Sequence, residues 1–153
     1  MRPLRIGLIG AGTIAWSAHL PAIARLRELV ELVAITDVRE TAAKRAAQHF
    51  GCESAYTDYR HLLDRTDIDA VLICTPEFLH AEQAIAAAEA GKHILCEKPM
   101  AANLAEADAM LNACRRARVT LMVGHSRRLI PRYQRIHDAI VAGEVGEVRF
   151  VRE

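Results

Sequence analysis

Arg5-Ile6-Gly7-Leu8-Ile9-Gly10-Ala11-Gly12-Thr13-Ile14-Ala15 is the stretch on which the reading of the fold turns. Residues 5–9 are short and apolar and run into glycine, the pattern of a buried strand entering a tight turn. From Ile14 to Leu29 apolar residues recur at helical spacing (Ile14, Ala18, Ala22, Leu26, Leu29). Pro21 is expected to kink that helix or divide it in two. A strand, a glycine turn and a helix therefore open the chain.

The same rhythm continues downstream. Leu32-Val33-Ala34-Ile35 reads as a second strand ending at Asp37, and residues 39–50 as a helix stopped by Gly51. A loop and a short helix around Tyr59-Arg60-His61-Leu62-Leu63 lead to Ala70-Val71-Leu72-Ile73-Cys74, the cleanest strand, which Thr75-Pro76 terminates. An alanine-rich helix over 79–90 closes at Gly91. The strand His93-Ile94-Leu95-Cys96 exits through Glu97-Lys98-Pro99. Asn103 followed by Glu106 fits a capping box for a helix running to Arg118, and Thr120-Leu121-Met122-Val123 is a further strand. Strands alternating with helices predict an α/β fold: a Rossmann-type doubly wound parallel sheet over residues 1–124. Beyond Gly124 the rhythm changes to a helix over 131–142 and a strand-like run at 148–152, read as a linker helix and the first strand of a following domain.

Composition narrows the function classes. The chain has 153 residues, 52% of them hydrophobic and 25% charged, with a formal net charge of +1. It is long enough for one packed domain and too apolar for disorder. The near-neutral charge gives no general pull toward nucleic acid or anionic lipid. No apolar run reaches the roughly 20 residues of a membrane span, and the N-terminus enters a strand without signal-peptide regions. Cys52, Cys74, Cys96 and Cys114 form no C-x-x-C pair, so buried thiols and a cytoplasmic location are expected. The seven histidines form no H-E-x-x-H and no cysteine-paired cluster, so no metal site is expected.

Gly10-Ala11-Gly12-Thr13-Ile14-Ala15 fits G-x-G-x-x-A. Gly10 permits the tight turn, Gly12 lets backbone approach a pyrophosphate, and Ala15 allows close helix–strand packing. Thr13 and Ile14 open the helix whose free N–H groups favour phosphate. Asp37, at the end of the next strand, is placed to accept hydrogen bonds from an adenosine ribose. A carboxylate there repels a 2′-phosphate and points to NAD, while Arg39 two residues on leaves NADP open.

Ligands of open parallel sheets bind beyond the carboxyl ends of the strands. Cys74-Thr75-Pro76 with His80, Glu97-Lys98-Pro99, and Gly124-His125-Ser126-Arg127-Arg128 all fall there. Lys98 is a candidate to polarise or deprotonate a hydroxyl, with partial burial or a nearby cation lowering its pKa; the competing reading is a surface lysine at a strand exit. For His80 a place near the cofactor competes with a helix surface, and for His125 and Arg127 a ligand contact competes with domain-junction packing. Trp16 is assigned to core packing rather than to the cofactor.

Gly10 to Ala15, Asp37, the C-T-P-x-x-x-H stretch of residues 74–80 and Glu97-Lys98-Pro99 occur together in the order and spacing of the Gfo/Idh/MocA family (glucose–fructose oxidoreductase and inositol dehydrogenase-like). The chain resembles the N-terminal half of that family over essentially all its length. The resemblance implies an NAD(P)-binding Rossmann domain, Lys98 beside nicotinamide and substrate, and Glu97 near the nicotinamide ribose. It also implies a C-terminal α+β substrate domain that these residues lack. The expectation is thus the cofactor-binding part of an oxidoreductase acting on a sugar, polyol or similar hydroxyl-bearing small molecule, binding cofactor without turnover in this form.

A second class, a non-catalytic binding protein, rests on charge. Residues 111–153 carry nine arginines, no lysine and four acidic residues. Without aromatic interleaving these arginines read as a solvated face or a domain contact, not a nucleic-acid surface. An unpaired strand at 148–152 would be free to pair with a second copy, leaving a homo-oligomer open.

Overall fold

A computed structural model describes residues 2–150 and 152. Six strands, β1 (Leu4–Ile9), β2 (Val30–Thr36), β3 (Ser54–Tyr56), β4 (Ala70–Ile73), β5 (His93–Cys96) and β6 (Leu121–Val123), form one sheet in the order β3-β2-β1-β4-β5-β6. All neighbours are parallel, with Ile9 opposite Thr36 on one side and Ile73 on the other. This is the doubly wound order, in which chain direction across the sheet reverses between β1 and β4.

Alternation along the strands splits the core into two layers, because successive side chains point to opposite faces. Leu8, Ile35 and Leu72 meet Ala15, α1 (Leu20–Arg25) and α2 (Glu40–Phe50) on one face. Ile9, Ala34, Val71 and Ile73 meet α3 (Tyr59–Leu63), α4 (His80–Glu89) and α5 (Leu104–Ala117) on the other. Both faces are covered, which is why the strands are almost uninterrupted apolar runs. Alanines at 81, 84, 87 and 88 are buried and let α4 sit close to the sheet and to α5.

Local signals act as expected at several ends. Asn103 Oδ1 accepts the Glu106 N–H at 3.0 Å, and the Glu106 carboxylate accepts from Asn103 Nδ2 at 2.8 Å and the Ala102 N–H at 3.2 Å. Gly51 ends α2 in the left-handed conformation, φ 72°. All four cysteines are free and buried. Burial pushes the Cys96 thiol up to about 12, and that of Cys74 higher still.

Three expectations are corrected. The helix read over 14–29 ends earlier, at Arg25; near Pro21 it is divided as expected, into a π turn (Ala15–His19), closed by the Leu20 N–H donating to the Ala15 carbonyl, and α1, which follows directly. Residues 54–56, expected as loop, are the edge strand β3. The run 148–152 is not a strand where it is described: Val148, Arg149, Phe150 and Arg152 are irregular, with Val151 outside the described residues. Among the described residues no strand lies beside residues 148–150 to supply ladder partners. Helix α6 (Pro131–Val141) forms as expected and packs against the 3-10 turn Ser126–Leu129 that precedes it.

Candidate functional site

The strand order dictates where a cleft opens. Chains leaving β1 and β4 turn to opposite faces, so the space beyond their carboxyl ends is left uncovered. There a cleft of about 540 Å³ is lined by Gly10, Gly12 and Thr13 after β1, and by Asp37, Val38 and Arg39 after β2. Cys74, Thr75 and Pro76 after β4 close its third side, with Tyr59, Phe78 and Gln83 at the margin.

Gly10 sits at φ +94°, and a Cβ there would lie 2.9 Å from the carbonyl carbon and oxygen of Cys74 and from Thr75 Cγ2. Only glycine allows β1 to turn so close to the exit of β4. At Gly12 an added Cβ would meet nothing within 4 Å. The space over that turn is therefore open to an approaching group, and the residues present fit a diphosphate there.

Asp37 ties the second strand to this turn. Its side chain is 8% exposed; Oδ2 accepts the Ala11 N–H at 3.0 Å, while Oδ1 accepts the Arg39 N–H at 2.9 Å and Arg39 Nε at 3.1 Å. Burial opposes ionisation, but the bonds from the Arg39 side chain and from the Arg39 and Ala11 N–H groups outweigh it and hold the carboxyl below the usual carboxylate range. Arg39 itself is largely exposed, so its guanidinium is movable.

The exit of β5 lies next to that of β4, and its two charged residues face opposite ways. Glu97 is 9% exposed; Oε1 lies 2.7 Å from His19 Nε2, and Oε2 accepts the Lys98 N–H at 3.1 Å. Lys98 is exposed, not partly buried, because the turn that sinks Glu97 carries the next side chain outward. The Lys98–Pro99 peptide bond is cis. Behind the turn His80 is 1% exposed, with Nδ1 2.8 Å from the Pro99 carbonyl oxygen and Nε2 2.9 Å from that of Thr75. Its ring joins the two strand exits from within and does not line the cleft.

The structure thus brings Gly10, Gly12, Thr13, Asp37, Arg39, Cys74, Thr75 and Pro76 together around one cleft, with Glu97 and Lys98 on the adjoining strand exit. Ile14 is exposed at the helix start, outside the lining. Arg127 is not brought there: it lines a separate groove with Tyr133 and His137, its guanidinium 5.6 Å from the Tyr133 ring. Trp16 packs against His49 and Phe50 beneath Arg45, the core role expected for it. Sequence reading missed Gln83, which accepts a bond from Thr75 Oγ1 at 2.6 Å, and His19. A cavity of about 960 Å³ between α6 and Val145, Val148 and Phe150 is larger, but no glycine turn is among its described lining residues.

A family described as an oxidoreductase family with an NAD-binding Rossmann fold matches residues 4–125. The 4-carboxy-2-hydroxymuconate-6-semialdehyde dehydrogenase of a Sphingobium strain is 41% identical over 93% of this chain and 44% of its own length. Myo-inositol 2-dehydrogenase of Thermotoga maritima is 36% identical over 97% of this chain and 44% of its own. Among solved structures, the 3-ketoreductase KijD10 of Actinomadura kijaniata, in complex with NADP and TDP-benzene, superposes with a TM-score of 0.89 at 36% identity, over 96% of this chain and 45% of that one. The chain therefore spans a little under half the length of these relatives.

Proposed function

We propose a function from one premise: the chain belongs to the Gfo/Idh/MocA oxidoreductase family, with its NAD-binding Rossmann fold. It is the cofactor-binding part of an enzyme that moves a hydride between nicotinamide and a carbon bearing a hydroxyl group on a sugar, a polyol or a similar small molecule. The observation that carries this reading is the meeting of the open Gly12 turn and the Asp37 carboxylate in the cleft between β1 and β4, with the Lys98 turn on the adjoining strand exit.

The residues divide the work. Gly10 and Gly12 shape the turn for a diphosphate, with N–H groups of the following turn directed at it. Asp37 takes the adenosine ribose once Arg39 swings away; with Arg39 kept near, a 2′-phosphate finds a cation, so NAD is preferred and NADP accepted. Bound nicotinamide supplies hydride transfer. Lys98, exposed on the strand exit beside the cleft, holds or accepts the hydroxyl proton in this reading. Residues 125–153 belong to a following domain in this reading, and substrate contacts lie largely outside this chain. Myo-inositol dehydrogenase and a ketoreductase among the relatives support the substrate class. A cytoplasmic site of action accords with four free, buried thiols.

Calorimetry with NAD, paired with a rate assay over sugars and polyols, tests both halves. Cofactor binding without measurable turnover by these 153 residues is expected. Rapid turnover would overturn the view that the chain is catalytically incomplete.

A further inference from the structure

The acidic residue of the Lys98 turn is held from an unexpected direction. His19 closes the π turn that follows the glycine turn, and such turns inside helices occur frequently at functional sites. Its Nε2 lies 2.7 Å from Glu97 Oε1, with side-chain exposures of 20% and 11%. A carboxylate so nearly out of water needs donors, and this one has two: the His19 ring and the Lys98 N–H. A third element makes room for it. A Cβ on Gly124, past the end of β6, would come within 3.1 Å of Oε1. The Glu97 N–H meanwhile donates to the Ile73 carbonyl at 2.9 Å, fixing its backbone to β4.

These contacts form a chain from the first β-α unit to the catalytic turn: π turn, His19, Glu97 carboxylate, Lys98 amide. We propose that His19 is a positioning residue, holding Glu97 and through it the Lys98 turn, so that the element gripping the diphosphate also sets the position of Lys98 against the nicotinamide end of the cofactor. The proposal rests on the reading of the cleft as a dinucleotide site. His19 acts through Glu97 and touches no reacting atom.

The test compares His19→Ala and His19→Gln with the unaltered chain, titrating each with NAD and with ADP-ribose, which lacks nicotinamide, and following hydrogen exchange of the Lys98 amide by NMR. Glutamine reaches Glu97 with an N–H at about the place of Nε2, so it should restore the bond. For His19→Ala, ADP-ribose affinity should stay within about twofold, NAD affinity should fall about tenfold, and the Lys98 amide should exchange about tenfold faster, the scale of one lost hydrogen bond to a charged group. His19→Gln should recover most of both losses and guards against a merely misfolded alanine variant. A wild-type NAD to ADP-ribose ratio in His19→Ala, unchanged Lys98 exchange, or a glutamine variant no better than alanine would each overturn the proposal. Unaltered protein that binds neither ligand would sink the cleft reading instead, and Lys98 exchange would still decide whether His19 holds the turn.

Discussion

Asp37 Oδ2 accepts the backbone N–H of Ala11 at 3.0 Å, so the carboxylate assigned to the ribose also braces the glycine turn from the side. The two duties separate by substitution. Asp37→Asn keeps an acceptor for Ala11 and removes the charge that repels a 2′-phosphate. It should leave thermal unfolding nearly unchanged and shift the NADH to NADPH affinity ratio about tenfold toward NADPH. Asp37→Ala also strands a buried N–H and should cost about 1–2 kcal/mol of stability. Parallel melting curves and titrations of both variants check this.

Gly10 and Gly12 predict opposite failures. Gly10→Ala forces a Cβ against the Cys74 carbonyl at a φ of +94°, and backbone cannot yield as a flexible side chain can. A loss of about 1–3 kcal/mol is expected from chemical denaturation. Gly12→Ala meets open space, so its stability should stay within about 0.5 kcal/mol while NADH affinity falls at least tenfold. Equal destabilisation by the two would contradict the assignment of Gly12 to ligand approach.

Asp69, held by residues at the start of β1, should contribute to acid sensitivity. Asp69 accepts both Arg2 guanidinium nitrogens at 2.7 and 2.8 Å and the Arg5 N–H at 2.9 Å, and these bonds, Arg2 first, lower its pKa to about 2. A folded pKa below the unfolded one means stability that is fully present above the ordinary carboxylate value and lost as pH falls toward about 2. Asp69→Asn should be less stable than the unaltered chain near neutrality, and the gap should close over that acid range. Unfolding free energies measured across it give the sign directly.

Lys92 is buried with no carboxylate partner among the described residues. It is 7% exposed, and its Nζ donates to the Arg65 carbonyl at 2.6 Å and the Ile68 carbonyl at 3.0 Å, pinning the loop before β4 to the start of β5. Lys92→Met keeps the apolar stem and leaves both carbonyls without that donor. A loss of about 1–3 kcal/mol is expected, read by denaturant midpoints at unchanged slope.

Much of this was legible in the residues because local chemistry and tertiary demand agree there. The glycine turn, the buried strand at 70–73, and Asn103 with Glu106 each carry a short-range reason for their conformation. β3 was missed since three residues, Ser54-Ala55-Tyr56, are too few for a period to register, and only pairing with β2 makes them a strand. The run at 148–152 is the opposite case: strand composition, but no strand beside its described residues. His19 was invisible for a different reason. Its partner Glu97 lies 78 residues away, and the π turn that aims it leaves no mark in the spacing of apolar residues. Lys98 and Glu97 could not be told apart by burial, because one turn of backbone decides which faces inward.

The most direct measurement is a fluorescence titration of the purified, folded chain with NADH, with Gly12→Ala run alongside. A saturable rise in nicotinamide emission, sharply weakened in the Gly12 variant, is the predicted result. Folded protein that gives no saturable response to NADH or NADPH would contradict the claim that the cleft between β1 and β4 holds a dinucleotide.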